Sequence, residues 1–464
     1  MRITIGKQIR VYKPEPELLT WCKKHLVLPN PEYAKKQRMN LWTGNTPKTF
    51  SLMEWDGDTL VLPYGCLKIV DELSDPYFDF VTKTFGWPNK VDYECEVPLY
   101  GYQMEAVEAM SKVYCGILQS PAGSGKTQMG IALAAKLGVK TLWLTHTHDL
   151  LVQSKSRAEQ YMSPALTGTI TEGKVQIGKG ITFATVQTMC NLNLPQYENV
   201  WDCIIVDECH RVAGCPTAVT QFSKVLNALA ARYKYGLSAT VHRADGMIMA
   251  THALLGPLAH RVPDEAVADK IMTVNVLPRA TRIGLDRAFL DTDGTIIYSK
   301  LVNFLAENPR RNEQIIGDLT ENADHYNLIL SDRLGHLEYL MKHLPPNLRK
   351  LAVMVDGKMT SKKAKAERER AIEDIRAGRK RYLFASYRLA KEGLDIPRLD
   401  RLYLTTPQKD YAVITQSIGR VARTAEGKGE PIAYDYVDDG IQYLVRSFKK
   451  RCTTYRKCGC KILE

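Results

Sequence analysis

Ser120-Pro-Ala-Gly-Ser-Gly-Lys-Thr127 is the stretch that decides the fold. Gly123 and Gly125 let the backbone wrap a phosphate so that successive N–H groups point inward. Lys126 adds a compact positive charge for the β- and γ-phosphates. Thr127 offers a hydroxyl to Mg²⁺ at the start of a helix, where the dipole also favours anions. Ser120 stands where the strict loop pattern has Gly. The apolar run Cys115–Leu118 before the loop and the helical period Thr127–Leu137 after it are the strand and helix that such a loop joins. The cofactors implied are ATP and Mg²⁺, with Ala122, Gly123, Ser124, Gly125, Lys126 and Thr127 around the phosphates.

The second half of the site is Trp201-Asp-Cys-Ile-Ile-Val-Asp-Glu-Cys-His210, an apolar strand that ends in two carboxylates. Asp207 can hold Mg²⁺, and Glu208 can orient and deprotonate an attacking water. Alone, an Asp-Glu pair at a strand end is unremarkable. Behind a phosphate loop it specifies hydrolysis of a nucleoside triphosphate. No protein-kinase signature accompanies the loop. A non-hydrolysing scaffold does not need Lys126, Asp207, Glu208 and Arg423 all intact.

Outward from these segments, short apolar runs alternate with helical stretches. Strands are expected at Thr141–Leu144, Cys203–Val206, Leu328–Leu330, Leu351–Val355, Tyr382–Ala385 and Arg401–Leu404, with helices such as Lys362–Ala377 between them. The alternation implies parallel sheets covered on both faces. It occurs twice, in residues 96–275 and 301–464, around a connector at 276–300 that has no clear period. Residues 1–95 show β-like pieces such as Thr59–Leu62 without βα alternation and read as a small N-terminal α+β domain. The fold class is therefore α/β, two parallel-sheet domains in tandem plus that small domain.

Composition narrows the partners. The 63 Lys and Arg against 51 Asp and Glu leave a formal charge of +12, which favours a polyanion. No apolar run approaches the roughly 18 residues of a membrane span. The N-terminus MRITIGKQIR lacks the apolar core of a signal peptide. A cytoplasmic location is expected, and the 11 cysteines suit reduced thiols there. Cys452, Cys458 and Cys460 cluster without the partners a zinc site needs. The basic tail Arg446–Lys457 has two readings: a phosphate grip, or a helix that turns Phe448 and Tyr455 inward.

Asp207-Glu-Cys-His210 resembles motif II of the superfamily-2 helicases, usually written Asp-Glu-x-His. Further motifs of that family follow in order. Tyr102-Gln103 resembles the adenine-recognising motif, with Tyr100 where an upstream Arg is common. Leu144–Leu151 resembles motif Ia, Phe183–Thr188 motif Ib, Leu237–Thr240 motif III, Ile329–Arg333 motif IV, Glu392–Pro397 motif V and Gln416–Arg423 motif VI. The resemblance implies two RecA-like domains. It also implies that Gly393 and Asp395 reach the nucleotide and that Ser238 and Thr240 couple hydrolysis to domain movement. In motif VI, Gln416, Gly419, Arg420 and Arg423 have i, i+3, i+4 and i+7 spacing, so one helix face is expected to carry the catalytic Gln416, Arg420 and Arg423. Arginines there would stabilise charge on the γ-phosphate.

Within that superfamily the chain is most similar to the XPB-like group and to phage UvsW-type helicases. Gly236–Gly246 keeps Arg243 and Asp245 after motif III, with Ala244 where that group has an acid and Val241 where it has Pro. Tyr298–Leu305, Arg310-Arg311-Asn312 and Leu389–Asp395 look like the same branch, as does Asn30-Pro-Glu-Tyr33 with Lys35, Lys36 and Arg38. The branch implies a DNA motor for fork regression, branch migration or recombination and repair, working on duplex or branched DNA as a monomer. Backbone contacts are expected from Thr145, His146, Thr185, Gln187, Arg243, Arg333 and Ser386; His146 also reads as an ordinary loop histidine. An RNA helicase and the motor subunit of a restriction or defence complex are the alternatives.

Overall fold

The computed structural model describes residues 1–464 except 76–78, 122, 172, 213–215, 240–246, 264, 356–361, 392–393, 395 and 464. The chain forms two compact units, Met1–Ala266 and Val267–Glu464.

The first unit is built on an eight-stranded sheet. Its order is Lys174–Gln176, Thr167–Thr171, Ile181–Thr185, Thr141–Thr145, Cys203–Asp207, Tyr233–Ser238, Cys115–Gln119 and Leu258–Arg261. Every pairing is parallel except that of the edge strand Lys174–Gln176. The central strands are buried on both faces, which is why they read as unbroken apolar runs. Trp143 and Phe183 fill the layer on one side, and Trp201, Phe222 and Leu226 the other. Each buried aliphatic side chain contributes about 1.5–3 kcal/mol.

Residues 1–95 carry a mixed five-stranded sheet, in the order Glu54–Asp56, Thr59–Leu62, Ile9–Tyr12, Arg2–Ile5 and Phe80–Lys83, with helices Pro16–His25 and Leu67–Leu73. This sheet shares a core with the elements around the eight-stranded sheet: Ile3, Ile9, Leu18, Leu60 and Tyr64 pack with Cys115 and Ala253. A second apolar contact joins Leu28 and Phe50 to Val219, Met247 and Ala250. The buried Lys234 amine donates to the carbonyls of Lys7 (3.0 Å) and Leu226, and it lies over the Tyr64 ring. Gly65 has no room for a Cβ against the main chain of His252, Ala253 and Gly256. The N-terminal element is thus fastened to the first motor sheet as part of one unit.

The second unit has a seven-stranded, wholly parallel sheet: Ala352–Val355, Tyr382–Ser386, Asn327–Ser331, Arg401–Leu404, Ile432–Val437, Asn275–Ala280 and Lys461–Ile462. Asn275–Ala280 lies largely in the stretch expected as connector. Its strand contains Pro278, which sits where the short neighbour Lys461–Ile462 has already ended and no ladder bond is lost. The helix Gln442–Lys457 buries Leu444, Arg451 and Tyr455 and leaves Phe448 half-buried. Arg451 makes two bonds of 2.8 Å to Asp435, which also accepts from the Tyr455 hydroxyl at 2.7 Å. The inward-packing reading therefore describes one face of the tail, while Arg446, Lys449, Lys450, Arg456 and Lys457 stay exposed on the other.

Candidate active site

Parallel strands end together, so residues at their C-terminal ends share one sheet edge. In the first unit that edge carries Thr185, Thr145, Asp207, Ser238 and, just past Gln119, Ser120, on successive strands. The phosphate loop leaves it and enters the helix Lys126–Leu137.

The loop's shape comes from its glycines. Gly123 and Gly125 have φ of 85° and 82°, the left-handed region where L side chains are strained. A Cβ on Gly125 would also meet the side-chain ends of Gln103 and Gln128. Ser120, in the position of the pattern's first Gly, is fully buried and bonds the Ser124 hydroxyl at 2.6 Å; Ser124 in turn donates to the Pro121 carbonyl at 2.7 Å. The adenine-type motif braces the loop as well. Tyr102 Oη and Gln103 Nε2 both donate to the Ser124 carbonyl, at 3.0 and 2.8 Å, while Gln103 Oε1 accepts from the Tyr100 N–H. Lys126 Nζ lies 3.4 Å from the carbonyls of Ser120 and Pro121, and Thr127 occupies the first turn of the helix.

The carboxylates stand one strand beyond Tyr233–Ser238. Asp207 is buried; it accepts from the Glu208 N–H at 2.9 Å and from Ser154 Oγ at 3.4 Å. Burial, then the Glu208 charge, pushes its carboxyl above the ordinary range, with Lys126 opposing. Burial also works against charge on Glu208, but Lys126 and then His210 outweigh it and hold that carboxyl below the ordinary range. Glu208 adopts a left-handed φ of 50°, a strained conformation for a non-glycine residue. His210 Nδ1 is 3.1 Å from Glu208 Oε2 and 3.1 Å from Ser238 Oγ, so one ring joins the carboxylate to the end of the neighbouring strand.

These residues fit a nucleoside triphosphate and a divalent cation. A Cβ on Gly125 would fill the cradle, and the buried Asp207 beside the half-buried Glu208 holds negative charge that a cation would relieve. Ser154 is the member that sequence reasoning missed. Its signal was the buried series Leu151, Ser154 and Ala158 on the helix His148–Ala158, an apolar face with one hydroxyl.

The other expected residues divide. Thr145 is fully buried and its hydroxyl donates to the Thr147 carbonyl at 2.9 Å. Thr185 caps the helix Val186–Cys190, Gln187 is exposed and His146 is half-buried. Arg333 Nε donates to Asn303 Oδ1 at 2.6 Å, and Ser386 Oγ accepts from the Leu389 N–H at 3.3 Å. Gln416, Gly419 and Arg420 lie on the helix Tyr411–Val421, whereas Arg423 lies past its end; the single helix face expected for all four is corrected. The helix stops because Ala422 turns its carbonyl to the Met272 N–H at 2.7 Å and Arg423 bridges to Ile271. Arg420 donates to the Leu394 carbonyl at 2.9 Å. Ala122, Thr240, Arg243, Gly393 and Asp395, with Val241, Ala244 and Asp245, lie outside the described residues. Among the described residues no group of three or more His, Cys, Asp or Glu is placed to hold a metal, and no helix is long and apolar enough to cross a membrane.

Two family models match the chain: the res subunit of type III restriction enzymes over residues 96–243, and the helicase conserved C-terminal domain over residues 311–425. A protein named as a putative ATP-dependent RNA helicase in Acanthamoeba polyphaga mimivirus is 27% identical over 92% of this chain and 78% of its own length. A probable helicase of Escherichia phage T5 is 27% identical over 75% and 73%. A DNA 3'-5' translocase, XPB2 of Sulfurisphaera tokodaii, is 32% identical over 38% of each chain. Among solved structures, S. cerevisiae Dbp5 bound to RNA shares the fold, with a TM-score of 0.54 and 16% identity over 79% of this chain and 94% of its own. T4 UvsW aligns over 100% of this chain and 99% of its own at 18% identity with a TM-score of 0.42, too low to argue from.

Proposed function

We propose, because the chain is a superfamily-2 helicase related to the XPB group, that it is an ATP-driven motor that unwinds or remodels duplex and branched DNA. The observation that carries the hydrolytic half is the line Lys126, Asp207, Glu208, His210 and Ser238 along one sheet edge, with His210 3.1 Å from both Glu208 and Ser238. Lys126 and the loop N–H groups would bind the phosphates, and Thr127 and Asp207 would hold Mg²⁺. A magnesium ion held there would neutralise phosphate charge and orient the leaving group. Glu208, kept ionised by Lys126 and His210, accepts the proton of the attacking water. Ser238 passes the state of the carboxylate pair to the next strand. By the motif VI resemblance, Arg420 and Arg423 would supply positive charge to the γ-phosphate, an effect worth about 10³–10⁵ in rate for an arginine finger.

DNA is favoured by relatives named as DNA 3'-5' translocases or helicases. It also suits the charge of +12 and the N-terminal stretch Lys35–Lys48, which displays Trp42 at 86% exposure. Sequence-independent binding through phosphates makes affinity fall steeply with salt. The test is strand displacement on a labelled forked DNA duplex with wild type and Lys126→Ala side by side. ATP-dependent displacement by wild type alone supports the reading. Hydrolysis without displacement leaves a translocase, and displacement by Lys126→Ala removes the assigned site. RNA is the second reading, favoured by the mimivirus relative, which aligns over 92% of the chain.

A further inference from the structure

The last carbonyls of a helix have no partner inside it and must find one elsewhere. At the end of the helix Tyr411–Val421 those partners come from two sides. Lys428 Nζ donates to the carbonyls of Val421 at 2.7 Å and Arg423 at 2.6 Å. Between them, the Ala422 carbonyl accepts the Met272 N–H at 2.7 Å, and Arg423 pairs with Ile271 in an antiparallel bridge. Three successive carbonyls are thus held from outside the helix. The third donor of the same ammonium goes to the Pro397 carbonyl at 2.8 Å, at the end of the segment Glu392–Pro397. An ammonium has three donors, and here all are spent on main chain. A cation at this end also suits the negative pole of the helix dipole.

We propose that Lys428 is a positioning residue for Arg423: it fixes the main chain from which that arginine projects and ties it to the segment ending at Pro397. A lysine that only capped the helix would need the Val421 carbonyl alone. Lys428 instead grips the carbonyl of Arg423 itself and a second segment 26 positions earlier, Pro397 against Arg423. The ammonium is half-buried. Burial lowers its pKa to about 8, Asp400 opposes the shift, and the like charge of Arg423 adds to it. The main chain of Arg423 is therefore clamped at a place where a displacement of about 1 Å can cost on the order of 10²-fold in rate. The inference rests on Arg423 acting in hydrolysis, as proposed above.

The test uses the full chain with saturating forked DNA and an ATP titration. Lys428→Met, Lys428→Arg, Arg423→Ala and Arg423→Ala with Lys428→Met are compared, with thermal unfolding of each. Lys428→Met is expected to lower kcat by about 10- to 100-fold with little change in the KM for ATP. Lys428→Arg should fall between it and wild type, because it keeps the charge but not the convergence of three donors on one atom. In the Arg423→Ala background Lys428→Met should add less than about threefold, since a residue acting through Arg423 has nothing left to position. A wild-type kcat in Lys428→Met, or the same fold-loss with and without Arg423, overturns the proposal. If Lys428→Met does not fold, Lys428→Arg decides: a reduced kcat that vanishes in the Arg423→Ala background supports the proposal, and a wild-type kcat overturns it. Wild-type turnover in Arg423→Ala alone instead refutes the role given to Arg423, and the positioning role falls with it.

Discussion

Replacing His210 with Ala tests the link between the carboxylates and the neighbouring strand. His210 is buried, and its Nδ1 lies 3.1 Å from both Glu208 Oε2 and Ser238 Oγ. Removing the ring takes away the 3.1 Å polar contact to the Glu208 carboxylate, worth about 1.5–3 kcal/mol for a partner of a charged group, and leaves Glu208 less well held in its left-handed conformation. If that interaction is needed when water is attacked, kcat should fall by about 10- to 150-fold. The phosphate loop is untouched, so the KM for ATP should stay close to wild type. Ser238→Ala loses only a hydroxyl contact, about 0.5–1.5 kcal/mol, and should cost about 2- to 12-fold. The assay is steady-state ATPase at saturating nucleic acid across an ATP titration. A His210→Ala enzyme within about twofold of wild type in kcat refutes the reasoning. So does a variant whose kcat is unchanged while KM rises, because the ring would then serve ground-state binding.

Three further outcomes follow from the same structure. Lys126→Ala should abolish ATP hydrolysis and leave nucleic-acid binding intact, checked by filter binding and ATPase on one preparation; wild-type turnover would displace the site. Arg451→Met should destabilise the second unit by about 3–5 kcal/mol, because it leaves Asp435 buried without its two 2.8 Å bonds; thermal unfolding that matches wild type contradicts this. His336, between Ser331 Oγ at 3.1 Å and Asn312 Oδ1 at 2.9 Å, is held neutral, its pKa lowered to about 3 by burial and then by Arg311. The unfolded chain takes up that proton as pH falls below about 6.5 while the folded chain does not, so stability is full above that pH and drops by about 2 kcal/mol by pH 5; urea unfolding of wild type and His336→Gln at both pH values should show the loss in wild type only.

Much of the two-sheet fold is legible in the sequence. Expected strands such as Cys203–Val206 and Arg401–Leu404 match observed ones to within a residue or so, because strands buried on both faces must be apolar throughout. The phosphate loop was legible because positive φ at Gly123 and Gly125 demands glycine. Less local features were not. Asn275–Ala280 carries a proline and no alternation, and only its neighbours make it a strand. Ser154 reaches Asp207 across 53 positions of sequence; its place on the apolar face of its helix marks it as buried, but nothing local names Asp207 as its partner. Arg451 stood out in sequence only as one charge of the basic tail, and the acid that draws it inward, Asp435, belongs to a separate strand. Likewise Arg423 keeps helical spacing in sequence, but the bonds that end the helix before it come from Met272, Ile271 and Lys428.

ATP hydrolysis at Lys126, Asp207 and Glu208 is proposed to drive work on branched DNA. The most direct measurement is the ATPase rate of the full chain with forked DNA, linear duplex DNA, single-stranded DNA and single-stranded RNA at equal nucleotide content and fixed salt. The largest stimulation is expected with forked DNA and the least with RNA. Stimulation by RNA equal to or above that by forked DNA would contradict it.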